Sequence, residues 1–571
     1  MSCGSHHVAG SRQRKPRAVC RHCSSAGFAG ATFSWGRRRR GLSRPPPIEV
    51  VTTVTLVRTS SYQDSVALLG LARELRAGAG VREASALMAT DANKALMAQS
   101  GLLTPEAGDA GPNDLVIVIQ AVSPADAERA RARALELLLA RRQRVEAAGR
   151  VLPRTLERAR RHLPGANVAL ISVPGAFAAA EARKALRLGL HVMLFSDKVA
   201  LDDEVGLKRL AASKGLLLMG PDCGTAYLNG VPLGFANAVP RGRIGIVAAS
   251  GSGLQQVATL LAASGEGISH AVGVGGRDMS LAVGGLMTLE ALNALGADRA
   301  TELILVIAKP PAPAVRERVA VRLRDIGKPA VVAMLGREAV AGQDGGLTTV
   351  TTLEDAARAA GAALTGRGWA PTPSGLSAAD AKPRILAARR ELGPEQRAIR
   401  GLYAGGTLAY EAVLILEPLV GAVATNLQPS REAVHQVLDL GADEFTVGRA
   451  HPMLDPTSRI EAIERAGKEP DVAVLLLDVV LGYGAAADPA GDIAPAVQAA
   501  RAEAKAHGRG LAVVATVVGT PADPQGLAGQ IERLEAAGAW VLPSNAQAVR
   551  AAACIAGDGS ATNLLDVPAS R

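Results

Sequence analysis

Aromatic side chains are scarce: 571 residues contain 3 Trp, 5 Tyr and 6 Phe. The core must therefore be built from Ala, Val and Leu, which suits closely packed parallel sheets covered by helices. Cysteine is also scarce. Three of the five lie in the first 23 residues, and the two in the body, Cys223 and Cys554, suggest a reducing, cytoplasmic setting without structural disulfides. No apolar run reaches the roughly 18 to 20 residues of a membrane span, so no membrane association is expected. No GxxxxGK[ST] loop occurs, which removes a P-loop nucleotide site. Cys20, His22 and Cys23 have no second pair at zinc-finger distance. His162, His191, His435 and His507 lack metal-ligand spacing, so no metal site is expected. Residues 1–48 hold ten Lys/Arg and no acid, and the remainder is balanced at 53 of each sign. The basic pI of about 9.6 thus belongs to the tail and implies no nucleic-acid face.

That tail lacks hydrophobic periodicity, ends in Pro45-Pro46-Pro47, and is expected to be disordered. Across the whole chain Arg outnumbers Lys 52 to 11 and Ala is abundant, a composition that suits an upstream start codon better than an organellar address. At this length three or four domains are expected. Strand-like runs at 50–58, 115–119, 167–173, 191–196 and 215–220, with helical stretches between, predict one doubly wound domain over 49–240. A second α/β unit covers 241–362. A Pro-punctuated linker with a helical part occupies 363–397, a third unit 398–556, and a tail 557–571. The expected fold class is α/β, a Rossmann-like domain followed by two flavodoxin-like domains.

One pattern occurs twice. IGIVAASGSGLQQVATLL (244–261) and IRGLYAGGTLAYEAVLIL (399–416) each run an apolar strand into a Gly/Ser/Thr loop and then directly into a helix. A helix N-terminus offers unpaired N–H groups and partial positive charge, and glycine lets an anion approach the backbone. Ser250, Gly251, Ser252, Gly253, Gly405, Gly406 and Thr407 are therefore candidate phosphate or oxyanion ligands. Glu411, in the early part of the second helix, fits either a dipole-compensating or a catalytic role.

Several segments carry a resemblance. GPDCGTAYLNG (220–230), SVPGAFAAAEA (172–182), GIVAASGSG (245–253) and GVGGRD (273–278) resemble, in order, GPNCPG, VPxPF, GIVSRSGTL and GIGGDP of the succinyl-CoA synthetase alpha subunit. GGTLAYEA (405–412) is similar to that subunit's SGTLTYEA, within a domain resembling the CoA-ligase domain of the beta subunit. VRTSSYQDSVALL, MATDANKALM (88–97), HPMLDP (451–456) and GYGAAADPAG (482–491) point more narrowly to the FdrA family, over roughly residues 49–556. The resemblance implies a CoA-binding domain and two ligase domains whose opposed helix ends hold one phosphate. It makes Pro174, Phe177, Gly220 and Pro221 candidate walls of a CoA or acyl pocket, with Asn93 and Lys94 as further anion ligands.

Two departures matter. The family's phosphohistidine would fall in 335–357, yet there is no histidine between His270 and His435, and Gln256 stands where the family has Glu. Without that imidazole the covalent phosphate relay cannot run. The loop RTSSYQDS also lacks the glycines of a CoA-phosphate loop, leaving Ser60 and Ser61 as its hydroxyl donors. Three residues remain as catalytic candidates: His451 with Asp455 as a titratable pair, and Cys223 beyond a strand end. The resemblance implies a subunit handling a small acyl group and phosphate, nominally an acyl-CoA ligase. Its alternative is a subunit of an oxamate carbamoyltransferase of allantoin breakdown; a non-catalytic metabolite-binding scaffold is the third reading. No tightly bound cofactor is expected, with CoA, phosphate or carbamoyl phosphate as substrates. Small anionic metabolites and other subunits of a hetero-oligomer are the expected partners.

Overall fold

The computed structural model describes residues 51–61, 63, 65–147, 153–371, 375–427, 433–446 and 450–557. The tail 1–48 with Cys20, His22 and Cys23, and the C-terminal tail beyond Gly557, lie outside the described residues.

The chain opens β1 (Thr52–Arg58), α1 (Ser65–Arg76), β2 (Val81–Met88), α2 (Asp91–Gln99), α3 (Pro105–Asp109), β3 (Leu115–Ala121), α4 (Pro124–Ala147). The apolar run of β3 takes the centre, antiparallel to both neighbours in the order β1-β3-β2. Leu68, Leu71 and Leu75 of α1 and Ala134 of α4 cover one face of the sheet, and Met97 and Ala107 the other. This corrects the single domain expected over 49–240. Residues 51–147 have their own sheet and two small cores. Apolar periodicity reports a strand but not the direction of its partner, so an antiparallel unit passed for the start of a parallel one.

The Rossmann-like part is confined to α5 (Leu156–His162), β4 (Val168–Ile171), α6 (Gly175–Arg187), β5 (His191–Leu194), α7 (Leu201–Ser213) and β6 (Leu218–Met219). Its sheet is parallel, in the order β4-β5-β6. A hairpin of β7 (Thr225–Leu228) and β8 (Val231–Gly234) turns on Asn229 and Gly230, both left-handed, as a tight hairpin requires. It joins the next sheet rather than this one, so the boundary expected near 240 falls before β7.

The first ligase unit contains β9 (Arg241–Ala248), α8 (Gly251–Ala263), β10 (Ile268–Gly273), α9 (Leu286–Ala297), β11 (Leu303–Ala308), α10 (Pro313–Ile326) and β12 (Ala330–Met334). It closes with β13 (Gly342–Asp344), β14 (Leu347–Thr349) and α11 (Leu353–Leu364). Its eight-stranded sheet runs β13-β14-β12-β11-β9-β10-β7-β8. The parallel part, β14-β12-β11-β9-β10, is the flavodoxin order, with β7, β8 and β13 as antiparallel additions.

After α12 (Ala378–Glu391) come β15 (Ala398–Tyr403), α13 (Gly406–Val420), β16 (Val423–Thr425), β17 (His435–Asp439), α14 (Asp443–Thr446) and α15 (Thr457–Lys468). They are followed by β18 (Val472–Val480), α16 (Pro489–Ala506), β19 (Ala512–Val518), α17 (Leu527–Ala536), β20 (Ala539–Leu542) and α18 (Asn545–Ala556). The sheet order β16-β17-β15-β18-β19-β20 repeats the flavodoxin pattern with one extra edge strand.

The two ligase units share one core. Leu254 and Leu261 of α8, Ala356 and Ala360 of α11, Leu408 and Ala412 of α13, and Ala548 and Ala552 of α18 belong to a single buried cluster. Alanine is frequent here because helices sandwiched between two sheets must pack closely. The expected linker contributes Leu376, Ala381 and Ile385 to the same cluster, so its helix is part of the body. Among the described residues, no helix is long and apolar enough to cross a membrane.

A buried charge cluster docks the Rossmann-like part. Lys208 of α7 lies 2.8 Å from both Glu204 Oε1 and Asp278 Oδ1, and donates to the Val274 carbonyl. Asp278 also accepts from the backbone N–H groups of Met287 and Thr288 at the start of α9. The GVGGRD motif is thus a helix cap and a domain lock. Asp278→Ala removes one of the two carboxylates paired with the buried Lys208 ammonium together with the cap of α9, and is expected to lower unfolding free energy by about 3 kcal/mol, measured by denaturant titration.

Candidate functional site

The two strand–loop–helix repeats meet. Strand β9 ends at Ala248, and Ser250 caps α8, its Oγ accepting from Gly253 N–H at 2.9 Å. Strand β15 ends at Tyr403, and Gly405 caps α13. Ser250 Oγ donates to Thr407 Oγ1 at 2.6 Å, and Thr407 N–H donates to Ser252 Oγ at 3.3 Å. The approach needs glycine: a Cβ on Gly253 would stand 2.7 Å from Ser250 Oγ, and one on Gly405 2.9 Å from Ser252 Cβ. Among the described residues, the N–H groups of Gly251, Ser252 and Gly406 have no hydrogen-bond partner. Two positive helix ends therefore share a seam of three amides and three hydroxyls, the composition of an oxyanion cradle.

Buried side chains hold the seam. Asp478 of β18 accepts from Ala404 and Gly405 N–H, each at 2.8 Å, and pairs with Arg459 at 3.3 Å. Below the loops the two units cap each other's last helix. Glu411 of α13 accepts from Leu353 N–H at the start of α11 (2.7 Å) and from Asn545 Nδ2 (2.8 Å). Gln256 of α8 accepts from Asn545 N–H at the start of α18 (3.3 Å). Glu411 and Gln256 follow Thr407 and Ser252 by four residues each, so the exchange is reciprocal and positions the loops one turn above.

The walls of the seam carry charge. Lys309, the first residue after β11, places its ammonium 5.8 Å from the centre of the Tyr410 ring on α13. Asp439, the last residue of β17, puts Oδ2 2.3 Å from where a Cβ on Gly406 would lie. Burial raises the Asp439 carboxyl to about 6, against the opposing pull of Lys309. Burial, with Asp197 and Asp443 adding, likewise raises Asp222 to about 6. Burial holds the Lys309 ammonium below its usual range, against Asp439 and Asp222. Lys309 and Asp222 are nonetheless exposed side chains, so these groups are crowded by the protein around them and open to solvent. All of these groups sit at the carboxyl ends of parallel strands, where open α/β sheets bind ligands.

The other expected sites fare differently. Burial and nearby Arg459 push His451 down to about 4, so it is neutral near pH 7, and its Nδ1 accepts from Met453 N–H. Asp455 is not its partner. Its carboxylate is tied to Arg76 of α1 at 3.0 Å and to Thr457, which hold it below its ordinary range despite burial. The His451–Asp455 pair is therefore corrected to a neutral histidine and a docking carboxylate. Cys223 is 2% exposed, burial raises its thiol to about 12, and a catalytic role is corrected to packing. Asn93 Nδ2 bonds the Met88 carbonyl and Lys94 Nζ the Gly108 carbonyl, both inside the antiparallel unit. Both side chains therefore stand in a different sheet from Gly220 and Pro221. Pro174 and Phe177 stand at the exposed start of α6, Phe177 at 55% exposure, while Gly220 and Pro221 are buried beyond β6. Ser60 and Ser61 belong to the antiparallel unit, outside the Rossmann-like sheet. In the segment that lacks the histidine, Arg337 bonds Glu417 through two nitrogens at 2.8 and 2.6 Å, pinning the loop to α13.

Sequence reasoning missed Lys309, Asp439 and Asp478. Each is a charged residue inside or directly after a buried apolar strand, a signal that was available.

Residues 402–555 match the CoA-ligase family, and residues 51–151 match a family described as AllF, heavy metal-associated domain. YahF of Escherichia coli (strain K12), an uncharacterized protein, is 41% identical over 499 residues, spanning 86% of this chain and 96% of its own length. The chain belongs to the FdrA family. Succinate–CoA ligase [ADP-forming] subunit alpha of Methanothermobacter thermautotrophicus is 26% identical, over 35% of this chain and 71% of that one. The dinucleotide forming acetyl-coenzyme A synthetase 1 of Ca. Korarchaeum cryptofilum aligns at 18% identity with a TM-score of 0.29, covering 70% of this chain and 84% of that one. This FdrA chain is thus related to CoA ligases. The heavy-metal label of the first domain is not matched by a thiolate or imidazole set, since 51–151 contain no Cys and no His, and its two thioethers, Met88 and Met97, are buried in the core. Among the described residues no group of three His, Cys, Asp or Glu could hold a metal ion.

Two outcomes test this description. Burial raises Glu411 from 4.5 to about 7, so the folded chain keeps a proton the unfolded chain has released, and stability falls as pH rises through that window. Across that range the melting temperature is expected to decline more in the parent than in Glu411→Gln, measured by calorimetry. Alkylation of the native protein followed by peptide mass mapping is expected to leave Cys223 unlabelled until denaturant is added.

Proposed function

We propose that this chain is a subunit of a CoA-ligase-type enzyme that binds a small oxyanion, phosphate or an acyl phosphate, along the seam between α8 and α13. The observation that carries the reading is the 2.6 Å bond between Ser250 Oγ and Thr407 Oγ1, 157 residues apart, with three free amides beside it. Two helix ends that meet head to head repel each other, and an anion between them removes the repulsion while using the free donors. The acyl or CoA portion would lie toward the Rossmann-like part, near Gly220 and Pro221. Other subunits of a hetero-oligomer would supply nucleotide chemistry, which this chain's sequence does not contain.

One observation favours a second reading, carbamoyl transfer between oxamate and phosphate. No histidine lies between His270 and His435, so a covalent phosphoryl carrier of that kind is missing from this stretch. Direct transfer asks only that a tetrahedral oxyanion be stabilised where charge develops, which helix-end amides can do.

Phosphate is expected to raise the melting temperature, by a shift that grows with concentration. Thr407→Val, close in shape but without the hydroxyl, is expected to weaken phosphate binding about tenfold. An unchanged melting temperature at all phosphate concentrations would remove the anion reading. With partner subunits present, turnover of ATP, CoA and succinate supports the ligase reading, and turnover of carbamoyl phosphate and oxamate the second. Binding without either turnover would make the chain a scaffold.

A further inference from the structure

Beside the seam lies one exposed cation that none of these readings uses. Lys309 leaves β11 beside the first loop: β11 pairs with β9 up to Ile307 and Ala248, and Ala249 N–H donates to the Ile307 carbonyl at 2.8 Å. Its backbone thus belongs to the first ligase unit next to Ser250. Its ammonium reaches across to the second unit, over the ring of Tyr410. Tyr410 lies one turn from Gly406, the α13 residue with a free amide. Among the described residues, no carboxylate is within ion-pairing distance of Lys309, although Asp222 and Asp439 are near enough to act on its charge. Most other buried or crowded cations of the body are committed: Lys208 to Glu204 and Asp278, Arg459 to Asp478, Arg337 to Glu417.

We propose that Lys309 is the residue that grips the anion at the seam, placing a positive charge across the two helix ends and against the oxygens of a phosphate-type group. This rests on the anion reading of the seam. The amides and hydroxyls fix the direction of the oxygens, and the ammonium supplies the whole charge that the partial helix dipoles lack. A point charge on a flexible stem can also follow the group as it moves between acceptors, a role that a fixed amide cannot fill.

Trace acetylation with acetic anhydride, read by peptide mass spectrometry on the full chain, tests the assignment without any variant. With inorganic phosphate at about ten times the dissociation constant found by thermal shift, labelling of Lys309 is expected to fall about tenfold. Exposed Lys214 should be labelled equally with and without phosphate. Thermal stabilisation by phosphate with Lys309 still fully labelled overturns this assignment and leaves the anion site standing. No stabilisation and no protection overturns both. Lys309→Arg is expected to keep the phosphate-induced shift and Lys309→Gln to lose most of it; a full shift in Lys309→Gln counts against the assignment.

Discussion

Everything in this fold serves one unfavourable contact, the meeting of two helix N-termini. Helices α8 and α13 point their positive ends at each other until Ser250 and Thr407 are joined hydroxyl to hydroxyl. Left alone, such ends would separate. They are held by what lies beneath and around them: the Ala-rich layer of α8, α11, α13 and α18, the exchanged caps of Glu411 and Gln256, and the Asp478 carboxylate against the second loop. Rigid support of this kind is what a preorganised oxyanion site requires, because donors that need not move at the moment of reaction stabilise charge most.

The segment between β8 and β9 adds a second fastening. Ala236 and Tyr483 exchange backbone hydrogen bonds, and Asn237 Nδ2 reaches the Leu481 carbonyl and Asp523 Oδ2. Asp523 Oδ1 in turn accepts from Ala238 N–H at 2.6 Å. The antiparallel unit is tied to the same ligase unit through Arg73 with Asp492 and Arg76 with Asp455. What would be a loose string of domains is thereby joined around the strand ends that form the cleft.

The lost histidine changes the chemistry the cleft can host but not its electrostatics. With no imidazole in the loop that Arg337 pins to α13, the remaining means are helix-end amides, hydroxyls and charge. His451 does not replace it, because burial keeps it neutral and its Nδ1 is taken by Met453 N–H. The carboxyls of Asp222 and Asp439 are raised toward neutrality by the same crowding that lowers Lys309.

Local pattern decided a good deal. The strand–Gly loop–helix repeats, the flavodoxin-like units and the ligase kinship were legible because strand period, glycine at a tight βα turn and helix period are properties of neighbouring residues. Long-range partnership was not. Whether β1 and β3 pair parallel or antiparallel, whether Asp455 meets His451 or Arg76, and whether Cys223 faces a cleft or the core all depend on residues far away in the chain. The sequence by itself thus determined that two strand–Gly loop–helix turns exist. Only the tertiary structure decided that they face one seam, with Lys309 across it, because burial and charge are set by what packs alongside.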